Sequence, residues 1–340
     1  MKKPKKGPRC GRVCMPRATA VKLFDPHAWG GATIEEPGAG GSGASWSLPT
    51  TPQCVDLTSA RDLLGTRFGV GRVYEAGLSD QAARLRRFLP VTARASGAES
   101  VDLAGLLRSV GWRAWCPRPA APAWRWLWRS FELFATVFGA VPRVEEVGFF
   151  DLHYRVRTDH GAVALAPSEE TLALFGDGSM AVYRTAEEYA GGKPLAGGRS
   201  EPGRAAPIFA LSPGDGFAFF IVHELAHGLV ERTAGGLERL EEFRLFAGWA
   251  ADGRLYDAGS REVEVIGKAT RTPERRRITA ANWNAAWAEQ PPTQYATAHA
   301  VEDFAESAAA YALCPKLLEL RAPRRHAFFE QTFPRGSPAG

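Results

Sequence analysis

Residues 214–232 read GDGFAFFIVHELAHGLVER. Its apolar residues are numerous enough for a buried helix, but charged and histidine residues interrupt them too often for a membrane span. Ser212 or Asp215 can cap the start of such a helix, and Gly235–Gly236 can end it. The sequence therefore predicts one long helix that is largely buried.

Residues 223–227, near the middle of this helix, read HELAH, an H-E-x-x-H pattern. His223 and His227 are four residues apart, so both imidazoles project from one face of the helix. At that spacing both can reach one tetrahedral zinc ion. Glu224 lies about 100° around the helix from His223, where it can hold a zinc-bound water without being a ligand. The alternative is a pair of histidines that only hydrogen-bond within the core, but the spacing and the intervening glutamate favour zinc.

A catalytic zinc ion needs a third protein ligand, and a second acidic helix is its best source. Residues 302–307 read EDFAES, in which Glu302 and Glu306 share one face of a helix. Carboxylates buried on an Ala-rich helix are costly unless they meet a metal or a hydrogen bond. One would bind zinc and the other would accept the free N–H of a ligand histidine; spacing alone does not decide which. The alternative is a solvated acidic face. Asp303 points about 100° away from Glu302 and is expected to face solvent or to cap.

The HELAH motif at 223–227, followed by Y-x6-E-D-F-A-E-S at 295–307, resembles the gluzincin metallopeptidases. Within that group the sequence is most similar to the catalytic domain of anthrax lethal factor and to the Mlc titration factor peptidases. The resemblance covers about residues 215–332 and implies a zincin-like fold. The long separation between the two motifs implies an inserted segment, around 250–290.

The resemblance also implies roles for individual residues. It makes one catalytic zinc ion the cofactor, with three ligands: His223, His227 and Glu302. Glu224 would be the general base, Glu306 would support the site from behind, and Tyr295 would assist the tetrahedral intermediate. From the residues alone, a loop tyrosine without a role is the alternative for Tyr295.

The chain divides by composition into three parts. Residues 1–53 are rich in Gly, Pro, Ser and Lys and are predicted to form a disordered arm. Residues 54–140 have helical patterns and are predicted to form a helical N-terminal region. Residues 141–335 are predicted to form the zincin-like catalytic domain. Because helices precede and follow a small sheet, the fold class is predicted to be α+β.

Within the third part, short β-prone segments predict a small antiparallel or mixed sheet. The predicted strands are Phe149–Val156, Ala162–Ala166, Met180–Tyr183 and Ile208–Leu211. Helices are predicted at about 237–247, 279–288, 300–313 and 323–332.

Composition and charge limit the partners. The net charge of +5 equals the basic surplus of one run, Lys2, Lys3, Lys5, Lys6 and Arg9. We therefore do not expect a nucleic-acid partner or, without an apolar span, a membrane. Five sparse cysteines do not form a disulfide framework, and no apolar segment follows the basic start. These features predict a cytoplasmic protein, or one exported without a cleavable signal peptide.

Together these patterns predict a zinc-dependent endopeptidase whose partner is a protein or peptide substrate. The substrate would lie as an extra strand along a sheet edge within residues 145–211. One alternative is a catalytically inactive protein that zinc stabilises and that binds a partner in its cleft. Another is a basic protein associated with nucleic acid through residues 1–53. The intact Glu224 favours the enzyme, because a purely structural site has no use for it.

Overall fold

The structure is a computed structural model, and it describes most of the chain between residues 56 and 334. The described residues are 56–87, 101–117, 122–159, 162–168, 171–190, 213–249, 255–256, 262–263, 291–292, 296 and 299–334. Several predictions lie outside them: the arm at 1–53, the strand at Ile208–Leu211, the cap at Ser212, most of the inserted segment around 250–290, the helix at 279–288 and the role of Tyr295.

The described residues form helices and short strands in the following bounds. The helices are α1 (Leu57–Phe68), α2 (Leu78–Arg87), α3 (Leu103–Ser109), α4 (Pro122–Phe138), α5 (Arg184–Ala190), α6 (Pro213–Arg232), α7 (Gly236–Ala247), α8 (Ala300–Leu313), α9 (Pro315–Arg321) and α10 (Pro323–Thr332). The strands are β1 (Arg72–Glu75), β2 (Glu146–Phe150), β3 (His153–Asp159), β4 (Ala162–Ser168), β5 (Ala173–Gly176), β6 (Ser179–Tyr183), β7 (Leu255–Tyr256) and β8 (Glu262–Val263).

The main sheet has four strands in the order β1-β2-β6-β5. β1, β2 and β6 run parallel, and β5 pairs with β6 in the antiparallel sense. The prediction of a mixed sheet is therefore confirmed, and so is the α+β fold class. β3 and β4 form a separate antiparallel pair. β1 was not predicted. It lies within residues 54–140, which were predicted to be helical, and it adds a strand to the sheet formed by residues 141–335.

The predicted strand Phe149–Val156 is wrong, because the structure divides it into β2 and β3. The chain leaves the main sheet at Asp151, whose backbone oxygen accepts from the amide of Arg184 and whose Oδ1 lies 2.8 Å from Nη1 of that residue. Asp151 is nearly fully buried, and a buried carboxylate needs such a partner. This ion pair lies at the point where the chain passes from β2 to β3.

Helix α6 lies at the centre of the core, as its sequence predicts. It begins at Pro213, a residue favoured in the first turn of a helix, and ends at Arg232, shortly before Gly235 with a left-handed φ of 71°. Every residue from 216 to 230 is buried. The helix packs against α4, α8 and strand β5. A helix that is apolar on all sides must be enclosed in this way.

The helices predicted at 237–247, 300–313 and 323–332 are confirmed as α7, α8 and α10. Pro315 ends α8 as expected, but it also starts α9, where its missing N–H has no helical partner to lose. Across the residues that the structure describes, no helix has the length and apolarity that crossing a membrane requires.

Candidate metal centre

Helix α6 presents three polar side chains within its buried central section. His223, Glu224 and His227 are each at most 3% exposed. Gly228 follows directly, and a Cβ atom there would lie 2.9 Å from Cζ of Phe175 on β5. The absence of a side chain at this position therefore lets the edge strand approach the helix closely.

Helix α8 brings a second polar set against α6. The chain enters it through His299, whose Nδ1 accepts from the amide of Val301, and the whole helix from Ala300 to Ala312 is buried. Its small alanines allow close packing against α6. Glu302 and Glu306 both face α6, because four residues bring a helix back to the same side.

Three side chains converge between the two helices. Nε2 of His223 lies 3.0 Å from Nε2 of His227. Oε2 of Glu302 lies 3.4 Å from Nε2 of His223 and 3.6 Å from Nε2 of His227. This buried group could hold a metal ion. Spacing alone does not decide which glutamate joins the two histidines. The distances show that it is Glu302.

Glu306 lies behind the histidine pair. Its Oε1 is 2.9 Å from Nδ1 of His223, and both side chains are fully buried. Nε2 of the same ring faces His227 and Glu302. A carboxylate on the far nitrogen of a metal-binding histidine fixes the orientation and tautomer of the ring. Glu306 thus occupies the place that the sequence analysis gave to the second glutamate.

Glu224 faces strand β5. The backbone N–H of Phe175 lies near its carboxylate and has a small lowering effect on its pKa, while Oε2 has no hydrogen-bond partner within the described part of the chain. Burial is the main cause that raises the pKa of Glu224, and the neighbouring histidines oppose it. A buried carboxylate with an unpartnered oxygen and a raised pKa is suited to accept and release a proton.

The charges between the helices favour a cation. Burial alone would lower the pKa of His223, but the carboxylates of Glu302 and Glu306 outweigh it, so the pKa of His223 is raised. Burial alone would raise the pKa of Glu302, but His227 and His223 outweigh it and lower that pKa. The same buried negative charge that attracts protons to the imidazoles would attract a metal ion in their place.

The prediction that Asp303 faces solvent or caps a helix is wrong. The side chain is fully buried, and Oδ2 lies 2.6 Å from Nη2 of Arg325. Because α8 is enclosed on every side, the face next to Glu302 meets α10 instead of water. The sequence could have suggested a buried partner, since EDF stands in an otherwise Ala-rich helix.

Sequence reasoning missed two further features of the site. The amide of Phe175 leaves no trace in the sequence, because any residue except proline supplies one. Gly228 does leave a signal, because a glycine inside a helix costs about 1 kcal/mol relative to alanine and needs a packing reason. Tyr295 lies outside the described residues, so its place at the site stays a prediction.

Comparison with known proteins identifies no relative of this chain. No protein-family model matches the chain, and neither a curated protein nor a solved structure matches it.

Proposed function

We propose that this chain is a zinc-dependent endopeptidase of the gluzincin type with a zincin-like fold. The observation that carries the proposal is the convergence of the ligand atoms of His223, His227 and Glu302, with Glu224 beside them on the same helix. All four side chains are buried. A purely structural zinc site is closed by four protein ligands, whereas a catalytic site has three and an open position. Three candidate ligands with Glu224 beside them therefore favour an enzyme over the inactive zinc-stabilised alternative.

The separation of the ligand atoms fits zinc. Ligands at 2.0–2.1 Å from a tetrahedral ion lie about 3.3–3.4 Å from one another. The three measured separations, 3.0, 3.4 and 3.6 Å, bracket that value. Two imidazoles and one carboxylate are also a donor set that zinc uses in hydrolases, with one position left for water. His223, His227 and Glu302 would therefore hold the ion.

Bound zinc would lower the pKa of a water molecule to about 7 and polarise the carbonyl oxygen of a substrate. Glu224 would accept the proton of the attacking water and pass it to the leaving amine. The Phe175 amide lies near the Glu224 carboxylate and slightly lowers its pKa, and burial keeps bulk water from competing for it. Glu306 would hold the His223 ring with Nε2 turned toward the ligands.

Strand β5 is the proposed docking edge for an extended peptide. It stands at one end of the four-stranded sheet, antiparallel to its neighbour. Its Phe175 contacts the proposed base, so a peptide added beside β5 would pass close to Glu224. Main-chain hydrogen bonds to a strand edge bind peptides with little regard for sequence. We therefore propose a protein or peptide substrate.

Tyr295 remains the proposed donor to the developing oxyanion, on the strength of the family resemblance alone. A phenolic O–H aimed at that oxygen contributes a factor of about 10²–10³ to kcat. Tyr295→Phe should therefore lower kcat by that factor with little change in zinc content. An unchanged kcat would remove Tyr295 from the mechanism.

The proposed activity is tested by digesting an unbiased peptide mixture and reading new termini by mass spectrometry. The zinc-loaded wild type should create new termini, and the chelated protein should not. Glu224→Gln should keep its zinc and lose about 10²–10⁴-fold in rate. Glu241→Gln, a change of the same kind on the exposed face of α7, is the matched control and should cut normally. Equal cleavage by the wild type and Glu224→Gln would contradict the proposal.

A further inference from the structure

The residue next to the third ligand has its own buried network. The carboxylate of Asp303 accepts four hydrogen bonds. The donors are Nε of Arg325 at 2.8 Å, Nη2 of Arg325 at 2.6 Å, Nε1 of Trp249 at 2.8 Å and Oγ of Ser307 at 3.1 Å. Asp303, Arg325 and Trp249 are all buried.

This network joins three parts of the chain to helix α8. Arg325 lies on α10 and also donates from Nη2 to the carbonyl oxygen of Ala247, the last residue of α7, at 3.3 Å. Trp249 follows α7 by two residues. The two nitrogens of Arg325 contact both oxygens of Asp303, and a bidentate pair of this kind fixes the relative direction of two side chains as well as their distance.

The network sets the rotation of α8 about its own axis. Successive residues of a helix are about 100° apart, so the direction of Asp303 determines the direction of Glu302 beside it. Glu306 follows on the face of Glu302. Rotating α8 about its axis by part of the 100° that separates successive residues would move Oε2 of Glu302 away from the histidines. It would also move Glu306 away from Nδ1 of His223.

Stability alone does not account for a buried charge pair. Well-packed apolar residues of similar volume stabilise a protein as well as a buried ion pair does, or better. What an ion pair adds is a defined geometry. Here the geometry is defined at the residue adjacent to a proposed metal ligand, on a face of α8 about 100° from Glu302.

We propose that Asp303, held by Arg325 and Trp249, is a positioning residue. It sets the rotation of α8 about its own axis and thereby directs Glu302 and Glu306 toward the proposed metal site. The inference rests on the proposed zinc centre. It assigns no contact with substrate to any of the three residues. Its consequence is that their loss weakens zinc binding by the folded protein, in addition to any loss of stability.

The test measures two quantities for each variant: the zinc dissociation constant of the folded protein, by competition with a chromophoric chelator, and the free energy of unfolding of the zinc-free protein. Asp303→Asn should weaken zinc binding about 10–100-fold, the usual effect of losing an outer partner of a metal site. Trp249→Phe removes one of the four hydrogen bonds and should weaken zinc binding less.

A second variant covers the risk that Asp303→Asn does not fold, since it leaves Arg325 buried without a counter-charge. The double replacement Asp303→Asn with Arg325→Gln removes both charges. It should recover stability relative to the single variant and still bind zinc about 10-fold more weakly than the wild type, because the bidentate geometry is lost.

Tyr311→Phe is the matched control on the same helix. The Tyr311 hydroxyl donates to Glu330 at 2.6 Å and to the carbonyl oxygen of Phe333 at 3.1 Å, two turns beyond Asp303. Its loss should lower the free energy of unfolding and leave the zinc dissociation constant unchanged. Such a result would show that destabilising α8 is not enough to weaken the site.

The outcomes separate this inference from the proposed function. Wild-type zinc affinity in Asp303→Asn or in the double variant, at reduced stability, would overturn the positioning role and leave the zinc centre in place. A wild-type protein that binds no zinc would overturn both. Weakened binding in the Asp303 variants and unchanged binding in Tyr311→Phe is the result that supports the inference.

Discussion

Nδ1 of His223 lies 2.9 Å from Oε1 of Glu306 in a fully buried contact. With a metal ion bound, this contact would keep the ring proton on Nδ1 and leave the lone pair of Nε2 for the ion. The two residues come from helices α6 and α8, so the contact also joins the H-E-x-x-H motif to the helix that carries the proposed third ligand, Glu302.

We expect Glu306→Gln to weaken zinc binding about 10–100-fold, because an amide still accepts the Nδ1 hydrogen bond but no longer supplies a negative charge. Chelator competition measures the dissociation constant. Glu319→Gln, on an exposed position of α9, is the control and should bind zinc like the wild type. Equal affinity in Glu306→Gln and the wild type would mean that Glu306 does not tune the site.

Gly228→Ala should lower kcat and leave zinc content unchanged. The added Cβ would lie 2.9 Å from both Cζ of Phe175 and Cγ of Pro142, so these rings or the helix must shift. Such overpacking costs about 1–3 kcal/mol of stability, and we expect kcat to fall about tenfold as the surroundings of the proposed base, Glu224, are displaced.

A compensating change tests that explanation of the Gly228 variant. Adding Phe175→Leu to Gly228→Ala removes the ring atoms that the new methyl group meets. The double variant should recover part of the lost stability, measured by urea unfolding. If it is less stable than Gly228→Ala alone, close approach of β5 is not the reason for the glycine.

His153 should make the protein less stable in mild acid. Its pKa is lowered from 6.5 to about 3, first by burial and then by the charges of Arg84 and Arg155. Between these two values the unfolded chain binds a proton that the folded chain does not, so stability is full above pH 6.5 and falls toward pH 3. From pH 7.5 to pH 5 this one group should cost about 2 kcal/mol.

Urea unfolding at both pH values, for the wild type and His153→Gln, measures this contribution. The variant loses the contact between Nδ1 and the Tyr183 hydroxyl, at 3.1 Å, and should be less stable at pH 7.5. Its loss between pH 7.5 and pH 5 should be about 2 kcal/mol smaller than that of the wild type. An equal loss in both proteins would show that His153 titrates normally when folded.

Removing the metal should destabilise the wild type, since a ligand that binds only the folded state stabilises it by mass action. Free zinc at 100 times its dissociation constant adds about 2.7 kcal/mol. Thermal unfolding with zinc and with a chelator measures the difference. His227→Ala loses one of the three ligands and should show little response to zinc. A response as large as that of the wild type would place the ion elsewhere.

The sequence predicts the parts of this structure that depend on residues close together along the chain. The apolar run from Phe217 to Val222 predicts a buried helix, and four-residue spacing puts His223 and His227 on one face of it. Both features are local, so a single sequence reveals them. The same spacing rule brings Glu302 and Glu306 together but cannot rank them, because both occupy one face of α8.

The features that the sequence does not reveal depend on distant partners. β1 is four residues long, Arg72–Glu75, and becomes a strand by pairing with β2 more than 70 residues later. From the sequence, Asp303 is predicted to lie at the surface, because its partner Arg325 is on another helix. The sequence cannot predict which backbone N–H lies near Glu224, because nearly all residues have one.

X-ray absorption at the zinc edge, on protein loaded with one equivalent of zinc, tests whether His223, His227 and Glu302 bind the ion. We expect only nitrogen and oxygen ligands at about 2.0–2.1 Å, two of them imidazoles, from these three residues with one water. Glu302→Ala should lose one of the short oxygen ligands while both imidazoles stay. Sulfur ligands at about 2.3 Å, or a spectrum without imidazole, would contradict a zinc centre built on the H-E-x-x-H helix.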